Sequence, residues 1–519
     1  MARLALNIYR QWNIHIRGVD LSTLFASDSA KPQSPAEFAS SRIHPDVRKE
    51  KINALWYGDS LEDMCLRAWL SAVLAENSIH EIYDALKVRT THLEHSHLVC
   101  LSQLLWDVEL LEGERPTEVE NDFDGVEEGE DGQLVIRNAR YNTRVRRSHQ
   151  TRVFMENEHG YSVVGRAVHS KGKQTGIKVA GGNVCAETIA RIRVVGRAEL
   201  THSELARDHF LLLLLQGIHR SLIQSPYIRM LWFETEQMRP KISHASQIKS
   251  MVARFPLNES QKEVVMAMRS DIQPLVVVHG PPGTGKTSTI AAALDLWECE
   301  GSATWVITQS NVGVKNIART LVKHGLDFRL LVSKDFYVEW HEHLYEDIEE
   351  RLIRSDELFA DPVATERELA GAQLVLCTIA MLSNPAIDRC GIFGLVPVAR
   401  LIVDEASQID TFEFMHLFHK FQDLEKVCMF GDPKQLPPYG KETAPNLKTI
   451  YDFKQFKAAA YSIACPFPWA SSSLNTCITR NCDPFIRSRT AVRSASSTCA
   501  RDARNALVRA GRIPRRHGQ

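Results

Sequence analysis

The chain has no long apolar run, no cysteine pair at metal or redox spacing, and almost no net charge. Each absence closes off a class of function. The longest aliphatic stretch, FLLLLLQG at 210–217, is far short of the ~20 residues a membrane-crossing helix needs. The N-terminal MARLALNIYRQWNIHIRG breaks its apolar pattern too early for a secretory signal. Eleven cysteines are scattered without a CxxC pair, so free thiols in a reducing compartment are expected rather than zinc or disulfides. A formal net charge of -1 excludes a globally basic nucleic-acid binder, and any such surface must be local. The expected location is nucleus or cytoplasm, with no membrane partner.

What is present is ordinary globular composition, 44% hydrophobic and 24% charged over 519 residues. That length has room for roughly three or four domains. Residues 1–111 read as mainly helical, with apolar residues three and four apart in LEDMCLRAWLSAVLAENSIHEIYDALKV and HSHLVCLSQLLWDVELL. The acidic stretch 112–132 and the basic RNARYNTRVRRSHQTR at 137–152 together read as a linker over 112–151. Its basic half is open between a nucleic-acid contact and a charge-compensating surface. Short alternating segments over 152–200 predict a small antiparallel β-barrel-like domain. A connector over 201–250 should carry a helix at 202–224, with Thr201 or Ser203 as N-cap ahead of Glu204. A strand at SPYIRMLWF (225–233) and a short helix at 245–254 are expected after it.

From 251 to 445 the pattern becomes strand–helix alternation. PLVVVHG (274–280), ATWVITQS (303–310), AQLVLCTI (372–379), ARLIVDEA (399–406) and EKVCMFGD (425–432) are continuous apolar runs, as strands buried on both faces of a parallel sheet require. The fold class is α/β, a P-loop nucleotide-binding domain. Each run ends in polar, acidic or glycine residues, at the strand ends where ligands bind in open α/β sheets.

Gly280-x4-Gly285-Lys286-Thr287 satisfies the phosphate-loop pattern. Its glycines let backbone N–H groups converge on phosphate oxygens at a helix N-terminus. Gly283, Thr284 and Ser288 complete the same cradle. Lys286 supplies a charge near the β- and γ-phosphates of ATP, and the Thr287 hydroxyl can ligate Mg²⁺. Asp404, at the end of a buried strand, needs a cation, for which Mg²⁺ serves; Glu405 beside it can orient or deprotonate water. Gln435, in MFGDPKQLPP, can sense the γ-phosphate or that water. ATP hydrolysis follows better than phosphoryl transfer, since no acceptor site is visible.

With LNESQ (257–261) before the phosphate loop and ITQSN (307–311) after the next strand, the set resembles superfamily 1 helicases of the up-frameshift and senataxin-like branch. That resemblance implies a RecA-like domain and a 5′-to-3′ motor. It further implies adenine recognition by Gln261 and backbone contacts to single-stranded RNA or DNA from Ser310, Asn311 and Thr378. For those three, strand-end capping is the competing reading. The barrel segment resembles the domain this family inserts before its motor. The family continues with a second RecA-like domain, whereas only 79 residues follow Gly440. Residues 446–519 are expected to be irregular, with ten arginines and no lysine from 480 onward. They read as an out-of-frame end or a basic tail. A nucleic-acid-dependent ATPase is therefore expected, incomplete here, against the alternative of a nucleotide-gated binding module without turnover.

Overall fold

The computed structural model describes residues 1–24, 60–115, 117–129, 133–139, 144–146, 148, 151–171, 173–179, 186–196, 200–219, 221–233, 255–333, 348–356, 358 and 362–464, with five isolated positions between 39 and 55. The segment 465–519 and the helix expected at 245–254 lie outside them.

Among the described residues of the N-terminal region the longest elements are helices: α1 (Ala2–Trp12), α2 (Leu61–Asn77) and α3 (His95–Gly113). Seven strands follow: β1 (Glu118–Asn121), β2 (Phe123–Glu128), β3 (Leu134–Asn138), β4 (Thr151–Asn157), β5 (Ser162–Lys171), β6 (Gln174–Val179) and β7 (Ile189–Gly196). They form one antiparallel sheet in the order β1-β7-β4-β5-β6-β3-β2. Val126, Ile136, Val153, Met155, Ile177 and Ile192 share its buried face. The sheet curls, because Asn121 on one edge strand donates from Nδ2 to Asn138 Oδ1 near the other edge (3.1 Å).

The acidic stretch is therefore not a linker. Its carboxylates line β1 and β2 and meet arginines of neighbouring strands: Glu118 with Arg193 (2.6 Å), Glu120 with Arg191 (2.7 Å) and Glu127 with Arg137 (3.0 Å). Local composition looked like solvated chain because the matching charges lie up to 75 residues away.

α4 (His202–Leu215) leaves the small sheet through the expected Thr201–Glu204 capping box. It ends earlier than expected, at Gly217, whose φ of 72° is left-handed backbone that favours glycine. Residues 226–233 are helical, not a strand. Pro226 sits in the first turn and Ser225 caps it, while Tyr227, Ile228, Met230 and Leu231 are buried. A short apolar run does not separate buried strand from buried helix by periodicity.

The remaining elements are α5 (Glu259–Arg269), β8 (Leu275–His279), α6 (Lys286–Cys299), β9 (Thr304–Thr308), α7 (Asn311–His324), β10 (Arg329–Val332), β11 (Leu352–Arg354), β12 (Leu374–Thr378), β13 (Arg400–Asp404), α8 (Phe412–Lys420), β14 (Lys426–Gly431) and β15 (Tyr461–Ser462). The eight strands make a single parallel sheet, β11-β10-β12-β9-β13-β14-β8-β15. The five expected strands are present. β15 was missed, and it extends the domain to residue 464: Ile450, Tyr451 and Phe456 are buried, and Ala464 is tied to Ser260 and Asn258. The expectation that 446–519 is irregular fails for 446–464.

One face of this sheet is covered by α5, α6 and α7. The other packs against α1, α3, α4, residues 226–233 and α8 in one continuous core. Arg3 on α1 joins Glu112 on α3 (2.6 Å) to Asp208 on α4 (2.8 Å). The N-terminal helices are thus part of the parallel-sheet domain's core. No helix among the described residues is long and apolar enough to cross a membrane.

Candidate nucleotide site

The carboxyl ends of β8, β9, β12, β13 and β14 bring the expected residues together. In the ladder, Thr308 stands beside Thr378 on one side and Asp404 on the other, and His279 beside Gly431. The loop from Gly280 to Gly285 joins β8 to α6. Gly283 (φ 76°) and Gly285 (φ 85°) are left-handed, as a loop folding back onto a helix N-terminus requires. A Cβ at Gly280 would meet Lys286 Cγ at 2.7 Å, so glycine alone lets the lysine lie across the loop. Lys286 Nζ donates to Gly280 O (2.9 Å), and Thr284 Oγ1 to Pro281 O (2.8 Å). Thr287 and Ser288 follow on the first turn of α6, partly exposed.

Gln261 lies under this loop. It forms the capping box of α5, accepting from Asn258 N (2.8 Å), and its Nε2 donates to Thr284 O (3.0 Å). It is buried, with both polar ends of its amide bonded to protein.

Asp404 ends β13 and is buried. Its carboxylate accepts from Glu405 N (2.9 Å). Burial, then the charge of Glu405, pushes it up to about 6 from an ordinary 3.8, while Lys286 pulls the other way. The native state therefore binds this proton more tightly than the unfolded chain. Its effect on stability is absent below pH ~4 and grows as a penalty through pH ~6, reaching on the order of 3 kcal/mol at neutral pH. Asp404→Asn should accordingly raise the melting temperature at about pH 7.5 and flatten stability between pH 4 and 6. Unchanged melting curves across that range would contradict it.

Glu405 adopts φ 57°, costly for a residue with a side chain, and its carboxylate accepts from Gln408 Nε2 (3.4 Å). Gln435 donates from Nε2 to Asp432 Oδ2 (3.4 Å). Asp432 also takes His279 Nε2 (3.1 Å) and Lys434 N (3.0 Å). Burial pushes its carboxyl up, but these hydrogen bonds outweigh it and hold it below the usual range. Asp432, His279 and Tyr451 were missed from sequence. For Asp432 the signal was available, an acid closing a buried strand next to Gln435. For Tyr451 it was not: this residue, 47 positions after Asp404, donates to Val278 O (2.7 Å) behind the loop.

Ser310 and Thr378 are N-caps, accepting from Gly313 N and Met381 N (both 3.2 Å). Asn311 opens α7, partly exposed. The capping arrangement thus occurs at two of the three positions, on the same sheet edge as Asp404.

Residues 256–445 match the model of the AAA domain family. The human DNA replication ATP-dependent helicase/nuclease DNA2 is 28% identical over 183 residues, which is 35% of this chain and 16% of that protein. Its counterpart in Gallus gallus is 30% identical over 183 residues, covering 35% and 17%. The chain thus spans about one-sixth of the length of these relatives. Among solved structures, the Pif1 helicase from Candida albicans covers 40% of this chain and 39% of its own at 15% identity, with a TM-score of 0.22. The Arterivirus nonstructural protein 10 helicase with DNA covers 70% and 53% at 11% identity, with a TM-score of 0.23. Scores this low carry no argument. The family match lies within the parallel-sheet domain, whose fold is α/β and RecA-like.

Proposed function

We propose that the chain binds ATP with Mg²⁺ and hydrolyses it in response to a bound single strand, as a superfamily 1 motor working 5′-to-3′. The supporting observation is the placement of a glycine phosphate loop, the buried Asp404 with Glu405 beside it, and the Asp432–Gln435 turn at the ends of neighbouring strands β8, β13 and β14. Lys286 exchanges its bond to the Gly280 carbonyl for phosphate oxygens. The N–H groups of residues 283–288 receive the remaining phosphate charge. Thr287 and Asp404 fit a divalent cation, since two adjoining carboxylates, one buried with a raised proton affinity, are a donor set short of positive charge. When bound, Mg²⁺ offsets charge on the phosphate oxygens. Glu405 takes the proton of the attacking water, and Gln435, held on Asp432, reports whether the γ-phosphate is present.

Gln261 acts by holding the loop through Thr284. Gln261→Ala should weaken ATP and GTP alike, by about tenfold for two lost hydrogen bonds, in fluorescence titrations of both nucleotides. Loss confined to ATP would assign it to adenine recognition instead.

The curated relatives are DNA replication enzymes by name, which makes DNA the first strand to test. The narrower placement in the up-frameshift and senataxin-like branch rests on motif spacing. The test is ATP turnover by the full chain with and without oligothymidylate and oligouridylate. Stimulation by either supports the reading, and its direction of preference assigns the strand. Nucleotide binding with no turnover under any condition would favour the gated-binding alternative.

A further inference from the structure

The family match stops at residue 445, yet the segment that follows is built into the nucleotide site. The turn at 449–452 is closed by a capping box between Thr449 and Asp452. Lys448 anchors this turn to the segment that follows Glu405. Its N–H donates to Asp410 Oδ1 (3.2 Å), and its carbonyl accepts from Thr411 N (2.8 Å). Further on, β15 runs alongside β8. Ile463 N there donates to His279 O (2.9 Å), one residue before the phosphate loop.

Tyr451 sits in the turn and is buried. Its hydroxyl donates to Val278 O (2.7 Å), with Met429 O also in reach (3.5 Å). Val278 lies two residues before Gly280, and Met429 three before Asp432. Their strands β8 and β14 are in register here, Val278 beside Phe430. The tyrosine ring closes on Gly431, where a Cβ would meet Tyr451 Cε2 at 3.1 Å and Ser407 N at 2.9 Å. Burial, then the charges of Asp404, Glu405 and Asp432, push the phenol well above its ordinary range. The hydroxyl therefore keeps its proton for the Val278 carbonyl. A phenylalanine would fill this space without burying a hydroxyl, which costs free energy unless it is bonded. What the tyrosine adds is the bond.

We infer that Tyr451 is a positioning residue of the nucleotide site: its hydroxyl sets the spacing between the strand end that carries the phosphate loop and the one that carries Asp432 and Gln435. The inference rests on the ATPase reading above and adds to it a residue from outside the matched domain. Nucleotide binding draws on the β8 loop. Turnover also needs the γ-phosphate aligned between that loop and the β14 turn. Loss of the hydroxyl acts on the second and spares the first. Because a misplacement of about 1 Å can cost about 10²-fold in rate, a partial shift from one lost bond should cost about tenfold.

Tyr461 supplies the control. It is a second buried tyrosine on the same segment, and its hydroxyl donates to Gln273 Oε1 (2.8 Å). Gln273 lies two residues before β8 starts, at the end of the strand away from the loop.

The test compares the full chain with Y451F and Y461F. It measures melting temperature, ADP affinity, strand-stimulated turnover, and affinity for ADP with aluminium fluoride, a mimic of the phosphoryl group in transfer. Both variants should melt within about 5 °C of the parent, as one lost hydrogen bond in a domain of this size implies. In Y451F, kcat and affinity for the mimic should fall about tenfold, while KM and ADP affinity stay within twofold. Y461F should match the parent in each of these. The mimic reads the alignment even in a chain that turns over slowly. Y451F equal to the parent in kcat and mimic affinity would overturn the inference. So would an equal loss in Y461F, which would reduce both bonds to general stability, or a loss of ADP affinity in Y451F as large as its loss of kcat. A parent chain that binds no nucleotide would overturn the ATPase reading and this inference with it, whereas normal binding and turnover with Y451F unaffected would overturn the inference alone.

Discussion

Glu405→Gln should lower strand-stimulated ATP turnover by about 10²- to 10⁴-fold, the usual range for losing a positioned base, while nucleotide affinity stays within a few-fold. The substitution keeps volume, the left-handed backbone at 405 and an oxygen to accept from Gln408. It removes the capacity of position 405 to accept a proton. It also removes the charge that raises the proton affinity of Asp404, so Asp404 stays ionised to lower pH and binding is not expected to suffer. Single-turnover hydrolysis together with nucleotide titration separates the two effects. Turnover within threefold of the parent would assign water activation to another group, Asp432 being a further carboxylate in the same strand-end cluster.

Glu413→Ala should destabilise the protein by roughly 3–5 kcal/mol, the cost of leaving a buried charge without its partner. Arg207 on α4 has a side chain only 2% exposed and donates from Nη1 to Glu413 Oε1 on α8 (2.7 Å). Its Nε and Nη2 have no other partner among the described residues. Ser203 bonds the second oxygen of Glu413, so one carboxylate ties α4 to α8 twice. Part of the loss is recovered locally. Asp410, pushed up to about 7 by burial and then by the charge of Glu413, ionises more readily once Glu413 is gone and faces the same guanidinium. The lower end of the range is therefore expected in urea unfolding near pH 7.5. A loss below 1 kcal/mol would mean that α4 and the N-terminal helices fold independently of the parallel sheet, contrary to their shared core.

The parallel sheet and its loop were legible because their signals are local. Val276–Val278, Trp305–Ile307 and Leu401–Val403 are buried on both faces and read as unbroken apolar runs, and each terminates in the residues that build the site. The small sheet was half legible. Its central strands alternate visibly, but β1 and β2 are written in glutamates whose arginine partners arrive only with β3 and β7. The role of residues 1–111 could not be read, since the sheet face that α1 and α3 cover is assembled from strands more than 150 positions later. Gln261 shows a different limit. A motif names the residue, while only the coordinates show its amide spanning from the α5 cap to the Thr284 carbonyl.

The central claim, that this sheet edge grips a magnesium-bound adenine nucleotide through Lys286 and Asp404, is tested most directly by titration calorimetry on the full chain and on Lys286→Ala. The account predicts a saturable heat with one nucleotide per chain, dependent on Mg²⁺ and abolished in the variant. A parent chain giving no heat with ATP or ADP plus Mg²⁺, or a variant binding as tightly as the parent, would contradict it.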